Sequence, residues 1–178
     1  IRLGLVGSEM CIRDSPYGCG VGGFKRINFM GDNSVTYEFL STDIFERYDT
    51  HLVFTGVTRN SKKILQNITE NLDKVQPLLD TCDEAYTILS EQKYDKFLSL
   101  LNKSWQQKKL TSSSVTENEK IKEIDSVLEN NETVCAHKLC GAGNGGFFLC
   151  FSKSNTLKIP YQSVRIYIES NGVYGRVV

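Results

Sequence analysis

The stretch Lys138–Cys150, KLCGAGNGGFFLC, sets four glycines within six residues between two apolar runs. Its core, Gly141-Ala142-Gly143-Asn144-Gly145-Gly146, fits G-x-G-x-x-G, a pattern tied to phosphate binding in several unrelated folds. The flanks decide among them. A dinucleotide-binding turn needs a helix after the glycines, because the helix N-terminus holds the pyrophosphate. Here Phe147-Phe-Leu-Cys-Phe151 follows, an aromatic run of strand length. A protein-kinase glycine loop lies between two strands but comes early and is followed by H-R-D and D-F-G segments, which this sequence lacks. A P-loop closes on Gly-Lys-Ser/Thr, and this one closes on Gly-Gly-Phe.

Outward from the loop, the pattern alternates between two periods. Phe24–Met30 and Val35–Phe39 read as strands, and Gly31-Asp-Asn-Ser34 as the turn that makes them a hairpin. Pro16–Gly23 is a glycine-rich turn, and His51–Thr55 a short buried strand ending at Gly56. The middle is helical. One helix begins near Asn60 or Ser61 and carries Ile64, Leu65 and Ile68. A second places Val75, Leu78, Leu79, Cys82, Tyr86 and Leu89 on one stripe. A third runs from Tyr94 through Phe97, Leu100, Leu101 and Trp105, and a fourth carries Ile121, Ile124, Val127 and Leu128. Strands return at Lys138-Leu139, Phe147–Phe151, Val164–Ile168 and Val173–Val178, with Asn171-Gly172 as a tight turn between the last two. Strands, then helices, then strands predict an α+β fold with a helical layer on one face of an antiparallel sheet.

Composition narrows the function. Lys plus Arg equals Asp plus Glu at 21 each, so no long-range field attracts nucleic acid or an anionic membrane. No apolar run reaches the length of a membrane-spanning helix. The six cysteines form no C-x-x-C pair, and His51 and His137 have no metal-ligand spacing, so no metal site is expected. Cys135, Cys140 and Cys150 read as small core residues, and Trp105 as core. The Asn67 and Asn131 sequons read as chance matches, and the cytoplasm as the compartment. Residues 1–15, IRLGLVGSEMCIRDS, have neither strand alternation nor a capped helical period. They resemble a translated sequencing adaptor; the other reading is a disordered arm.

Three segments in order carry a family resemblance. KLCGAGNGGFFLCF resembles the late glycine-rich motif of the GHMP small-molecule kinases. PYGCGVGGFKRINF resembles the segment in their sugar-kinase members where an Asp precedes a tyrosine and a G-G-F/I strand. LVFTGVTRNSKKIL resembles their strand-T-G-x-x-R-x-S segment. The nearest branch resembles the D-glycero-D-manno-heptose 7-phosphate kinases. The resemblance spans Pro16 to Val178 and implies a ferredoxin-like C-terminal kinase domain over 51–178, with 16–50 ending the N-terminal domain. It implies an ATP- and Mg2+-dependent transfer of the γ-phosphoryl group to a sugar or sugar-phosphate hydroxyl. The family's P-x-G-L-G-S-S phosphate loop is absent from this sequence, so the resemblance implies a C-terminal portion, inactive alone, whose N-terminal kinase domain is its missing partner.

Carried over residue by residue, the resemblance assigns the nucleotide-phosphate loop to Gly141, Ala142, Gly143, Asn144, Gly145 and Gly146. Tyr17, Gly22, Gly23, Thr55, Arg59 and Lys138 become substrate-site candidates. Arg59 is a phosphate fork, and Lys138 supplies electrostatic support. The catalytic Asp is expected directly before Pro16. Ser15 stands there, with Asp14 one earlier. On the adaptor reading, Asp14 is a coincidence and the true Asp is not in this chain. A different class stays open beside the kinase: a non-catalytic α+β module whose glycine loop holds a ligand. Within the kinases, a fucose or galactose branch is the rival.

Overall fold

The computed structural model describes residues 17–18, 20–32, 34–58 and 76–172. Asp14, Arg59, the helix expected through Ile64 to Ile68 and the strand expected over 173–178 lie outside the described residues. Two antiparallel sheets and a set of helices make up the rest, and the α+β class holds. Strands β1 (Lys25–Phe29) and β2 (Val35–Phe39) form the expected hairpin, with Phe29 opposite Val35. Its turn is pinned by Asp32, whose carboxylate accepts the Ser34 amide at 2.9 Å and the Ser34 hydroxyl at 2.6 Å.

A short helix, α1 (Ile44–Arg47), leads into β3 (Tyr48–Phe54). This strand starts three residues before the apolar stretch at His51, because Asp49 and Thr50 are buried against β5 rather than marking a boundary. Then come α2 (Gln76–Ser90), α3 (Tyr94–Thr111), a 3-10 turn (Ser113–Thr116) and α4 (Glu119–Glu129). Strands β4 (Val134–Leu139), β5 (Phe147–Lys153) and β6 (Ser163–Ile166) complete a four-stranded sheet in the order β4-β5-β3-β6.

Alternation along the strands sorts two apolar clusters. Phe148, Cys150, Val53 and Leu139 join Trp105, Val115 and the Ile121/Ile124/Leu128 stripe of α4. Phe151 and Ala136 join Ile44, Leu89, Tyr94 and Leu98. Each fully buried large side chain contributes about 1.5–3 kcal/mol. Trp105 meets Phe148 edge-to-face at 5.8 Å. The helices begin and end for local reasons. The Asn118 side chain caps α4 by accepting the Lys120 amide at 2.9 Å, and Glu119 sits favourably in the first turn. Asn102 of α3 covers the open edge of β4. Its side chain donates to the Cys135 carbonyl at 3.3 Å and accepts the His137 amide at 3.0 Å, which closes that edge to other strands.

One stripe position differs from the sequence reading. Cys82 of α2 is exposed, and Thr81 takes the inward place. The Thr81 hydroxyl reaches both the Pro77 carbonyl and the Gln107 side chain, at 2.7 and 2.8 Å, so this polar residue is satisfied in the α2–α3 contact. Cys150 is buried as expected, while Cys135 and Cys140 are only partly so. No helix among the described residues is long and apolar enough to cross a membrane.

Candidate functional site

The glycine loop connects β4 to β5. The Cys140 amide donates to the Phe147 carbonyl at 2.9 Å and closes its neck. Inside, Gly141, Gly143, Asn144, Gly145 and Gly146 all have positive φ, at 68°, 118°, 53°, 152° and 92°. Such a run is open to glycine, with asparagine tolerated at the left-handed position it occupies here. Gly143 has a second reason to lack a side chain: a Cβ there would lie 3.0 Å from Val115 Cα and Cγ1.

The loop is gripped from two sides. On one, the Thr55 amide and hydroxyl both donate to the Gly146 carbonyl, at 3.1 and 2.7 Å, and the Gly146 amide donates to the Val57 carbonyl at 3.0 Å. On the other, the Asn144 amide donates to the Val115 carbonyl at 2.7 Å, and its side-chain oxygen accepts the Asn118 amide at 2.8 Å. The Lys108 ammonium donates to the Leu139 carbonyl at 3.2 Å and to the Gly141 carbonyl. These bonds use the Cys140, Asn144 and Gly146 amides. Among the described residues, no protein acceptor takes the amides of Gly141, Ala142, Gly143 and Gly145. Gly141 is exposed, while Ala142, Gly143 and Gly145 are buried; backbone N–H groups in such turns are a general means of binding anionic oxygen.

The sequence candidates divide into three groups. Thr55 joins the loop: it is fully buried, and it bonds the Gly146 carbonyl. Lys138 reaches from β4 to α3. Its ammonium donates to the Ser104 hydroxyl at 2.9 Å, and burial pushes its pKa below the usual lysine range. Tyr17, Gly22 and Gly23 form a separate cluster. Tyr17, Gly18 and Gly20 are helical rather than part of a turn, and the Tyr17 ring meets Phe29 at 5.7 Å and Tyr37 at 6.2 Å, folding this segment over the β1–β2 hairpin. The Gly23 amide donates to the Glu169 carbonyl at 2.7 Å. A Cβ on Gly22 would lie 2.2 Å from the Gly172 nitrogen, so backbone fills the space a side chain would need. Glu169 follows β6, which runs antiparallel to β3 with Ile166 opposite Thr50, so this cluster lies toward the Tyr48 end of β3. Gly146 meets Thr55 beyond the Phe54 end. At about 3.3 Å per residue, the ends of this seven-residue strand are roughly 20 Å apart. The structure therefore does not bring the two clusters together.

No family model and no curated protein matches the sequence. Solved structures do match its shape. L. major mevalonate kinase in complex with R-mevalonate superposes with a TM-score of 0.57 at 16% identity, over 74% of this chain and 40% of that one. Lactococcus lactis galactokinase complexed with galactose gives a TM-score of 0.61 at 15% identity, over 88% of this chain and 54% of that one. The shared α+β fold is like that of a GHMP-kinase C-terminal domain. The chain spans about half the length of these solved kinases.

Within this kinase-like fold, sequence reading missed the residues that support the loop from α3 and α4. Lys108 is an ordinary helix-surface residue and Asn118 an ordinary cap by pattern, and only the packing of both helices beside the loop gives them roles. Asp125 carried a readable signal. It falls on the Ile121/Ile124/Leu128 stripe of α4, where a charge is out of place. The structure shows why it is tolerated. Its carboxylate accepts Trp105 Nε1 at 2.6 Å and Lys109 Nζ at 2.8 Å, and lies 2.8 Å from His137 Nε2. Burial alone would raise its pKa, but these three partners hold it below the usual carboxylate value. His137 is thus a structural histidine. Among the described residues no cluster of His, Cys, Asp and Glu could hold a metal ion.

Proposed function

We propose that this chain is the C-terminal portion of an ATP-dependent GHMP-type kinase that phosphorylates a sugar or sugar-phosphate hydroxyl. One observation carries the reading: in a fold shared with small-molecule kinases, the glycine loop holds four backbone amides without protein acceptors, braced on both flanks. In the proposed reaction the acceptor hydroxyl oxygen forms a bond to the γ-phosphorus, the bond to the ADP leaving oxygen breaks, and the hydroxyl proton passes to a carboxylate. Such chemistry is mostly positioning and charge stabilisation, which suits a preorganised cradle of amides.

The loop fits the phosphate end of ATP or of a phosphorylated acceptor. The main nucleotide-phosphate motif, P-x-G-L-G-S-S, is not in this sequence, and no step is assigned to Mg2+ on the described residues. Both belong, in this proposal, to an N-terminal domain of the parent enzyme, as does the carboxylate for which Asp14 is the only candidate position here. A heptose 7-phosphate acceptor follows from the sequence resemblance, and the match to a galactokinase favours a hexose equally. Arg59 remains the proposed phosphate fork of the acceptor site.

Two measurements test this. Calorimetry of the chain alone is expected to show negligible ATP affinity; tight binding would overturn the view that the main phosphate grip lies elsewhere. Extending the reading frame upstream of Pro16 should reveal a P-x-G-L-G-S-S segment. The extended enzyme should then turn over ATP with heptose 7-phosphate, galactose or fucose. A start codon near Pro16, with no turnover on any sugar, would favour the non-catalytic binding module instead.

A further inference from the structure

Beside the loop stands a cation that the sequence motifs do not include. Lys120 lies in the first turn of α4, two residues after Asn118, whose amide is bonded to the Asn144 side chain. Its backbone is therefore held next to the middle of the loop. Its ammonium reaches Gly56: a Cβ at that position would lie 2.8 Å from Lys120 Nζ and 3.7 Å from Cε. Gly56 sits between Thr55 and Val57, the two residues that grip Gly146. The Lys120 side chain thus starts two residues from Asn118, which bonds Asn144, and ends at Gly56, between the residues that bond Gly146. Gly56 has φ at 68° and no side chain, which leaves the room that the ammonium occupies.

Lys120 differs from its charged neighbours. Lys122 pairs with Glu119 at 2.7 Å and Lys109 with Asp125 at 2.8 Å. Lys108 is committed to loop carbonyls. Among the described residues, Lys120 has no carboxylate within ion-pair distance. This exposed ammonium, at Gly56 between the two residues that bond Gly146, supplies a charge that neutral N–H groups lack.

We infer that Lys120 is the cationic wall of the glycine-loop site and contacts the phosphate held there. The inference rests on the reading of the loop as a phosphate cradle, and its test separates the two. The full chain is titrated with inorganic phosphate, following loop amide shifts, for the wild type and for Lys120→Gln, Lys120→Arg and Lys122→Gln. One partly solvated charge is worth roughly a three- to ten-fold change in affinity. Lys120→Gln is expected to weaken phosphate by that factor, with a shallower salt dependence and an unchanged melting temperature. Lys120→Arg should restore most of the affinity, and Lys122→Gln should bind as the wild type does. Equal phosphate affinity in Lys120→Gln and wild type would overturn the role of Lys120 while leaving the cradle intact. An equal loss in Lys122→Gln would reduce the effect to net charge and also overturn it. No loop response in the wild type would remove the cradle and this inference together.

Discussion

Asp125→Ala is expected to lower the stability of the folded chain by about 3–5 kcal/mol, the cost of breaking a buried charge cluster from one side. At the 2–4 °C per kcal/mol expected for a chain of this size, the melting midpoint should fall by roughly 10 °C. The reason is what remains. Trp105 Nε1 and the Lys109 ammonium lose their acceptor inside a tightly packed cluster, and His137 loses its partner. Asp125→Asn keeps a neutral oxygen for the indole and should cost less than the alanine. The same carboxylate predicts a pH dependence. Its pKa is lowered from an ordinary 3.8, so its contribution is complete above that value and is lost as pH falls through the lowered one. Denaturant melts across the acid range should therefore show a steeper acid limb for the wild type than for Asp125→Asn. Equal limbs, or an alanine variant within 1 kcal/mol of wild type on the scale typical of surface substitutions, would contradict the network.

Gly143→Ala is expected to abolish the native loop conformation. The residue has φ at 118°, and the added Cβ would press on the Val115 backbone at 3.0–3.1 Å. Backbone strain of about 1–3 kcal/mol and an overpacking cost of similar size add together. The loop can relieve both only by leaving Val115, which breaks the 2.7 Å bond from Asn144 and reorients the unpaired amides. Phosphate affinity should fall at least ten-fold, with a modest drop in melting temperature. Gly20→Ala is the matching control. Nothing lies within 4 Å of a Cβ there, so it should stay within about 0.5 kcal/mol of the wild type. A Gly143→Ala chain that binds phosphate normally would show that the loop tolerates a side chain and that its glycines are not there for close approach.

Much of this architecture is written in local pattern. The β1–β2 hairpin, the α3 and α4 stripes and the strand on each side of the glycines follow from alternation, helical spacing and turn residues. Asn144 at positive φ follows from the known tolerance of asparagine. What local pattern cannot hold is distance between elements. Thr55 reads as a substrate contact when only the T-G segment is seen, and becomes a buried clasp once β3 lies beside β5. Lys138, adjacent to the loop in sequence, spends its ammonium on Ser104 of α3, one helical turn before the Lys108 that bonds the loop carbonyls. Lys120, eighteen or more residues from every motif except through the fold, lies beside it. The segment at Tyr17–Gly23 shows the converse. Its Gly22 is needed, but for packing on Ser170 and Gly172.

The central claim is that the loop at Gly141–Gly146 is a preformed phosphate cradle. Amide-resolved NMR of the full chain during titration with inorganic phosphate tests it most directly. The largest shifts are expected at the amides of Gly141, Ala142, Gly143 and Gly145, with Cys140, Asn144 and Gly146 responding less because their N–H groups are already bonded within the protein. Shifts that spare these four amides, or that fall instead on Gly22, Gly23 and their neighbours at the far end of β3, would contradict it.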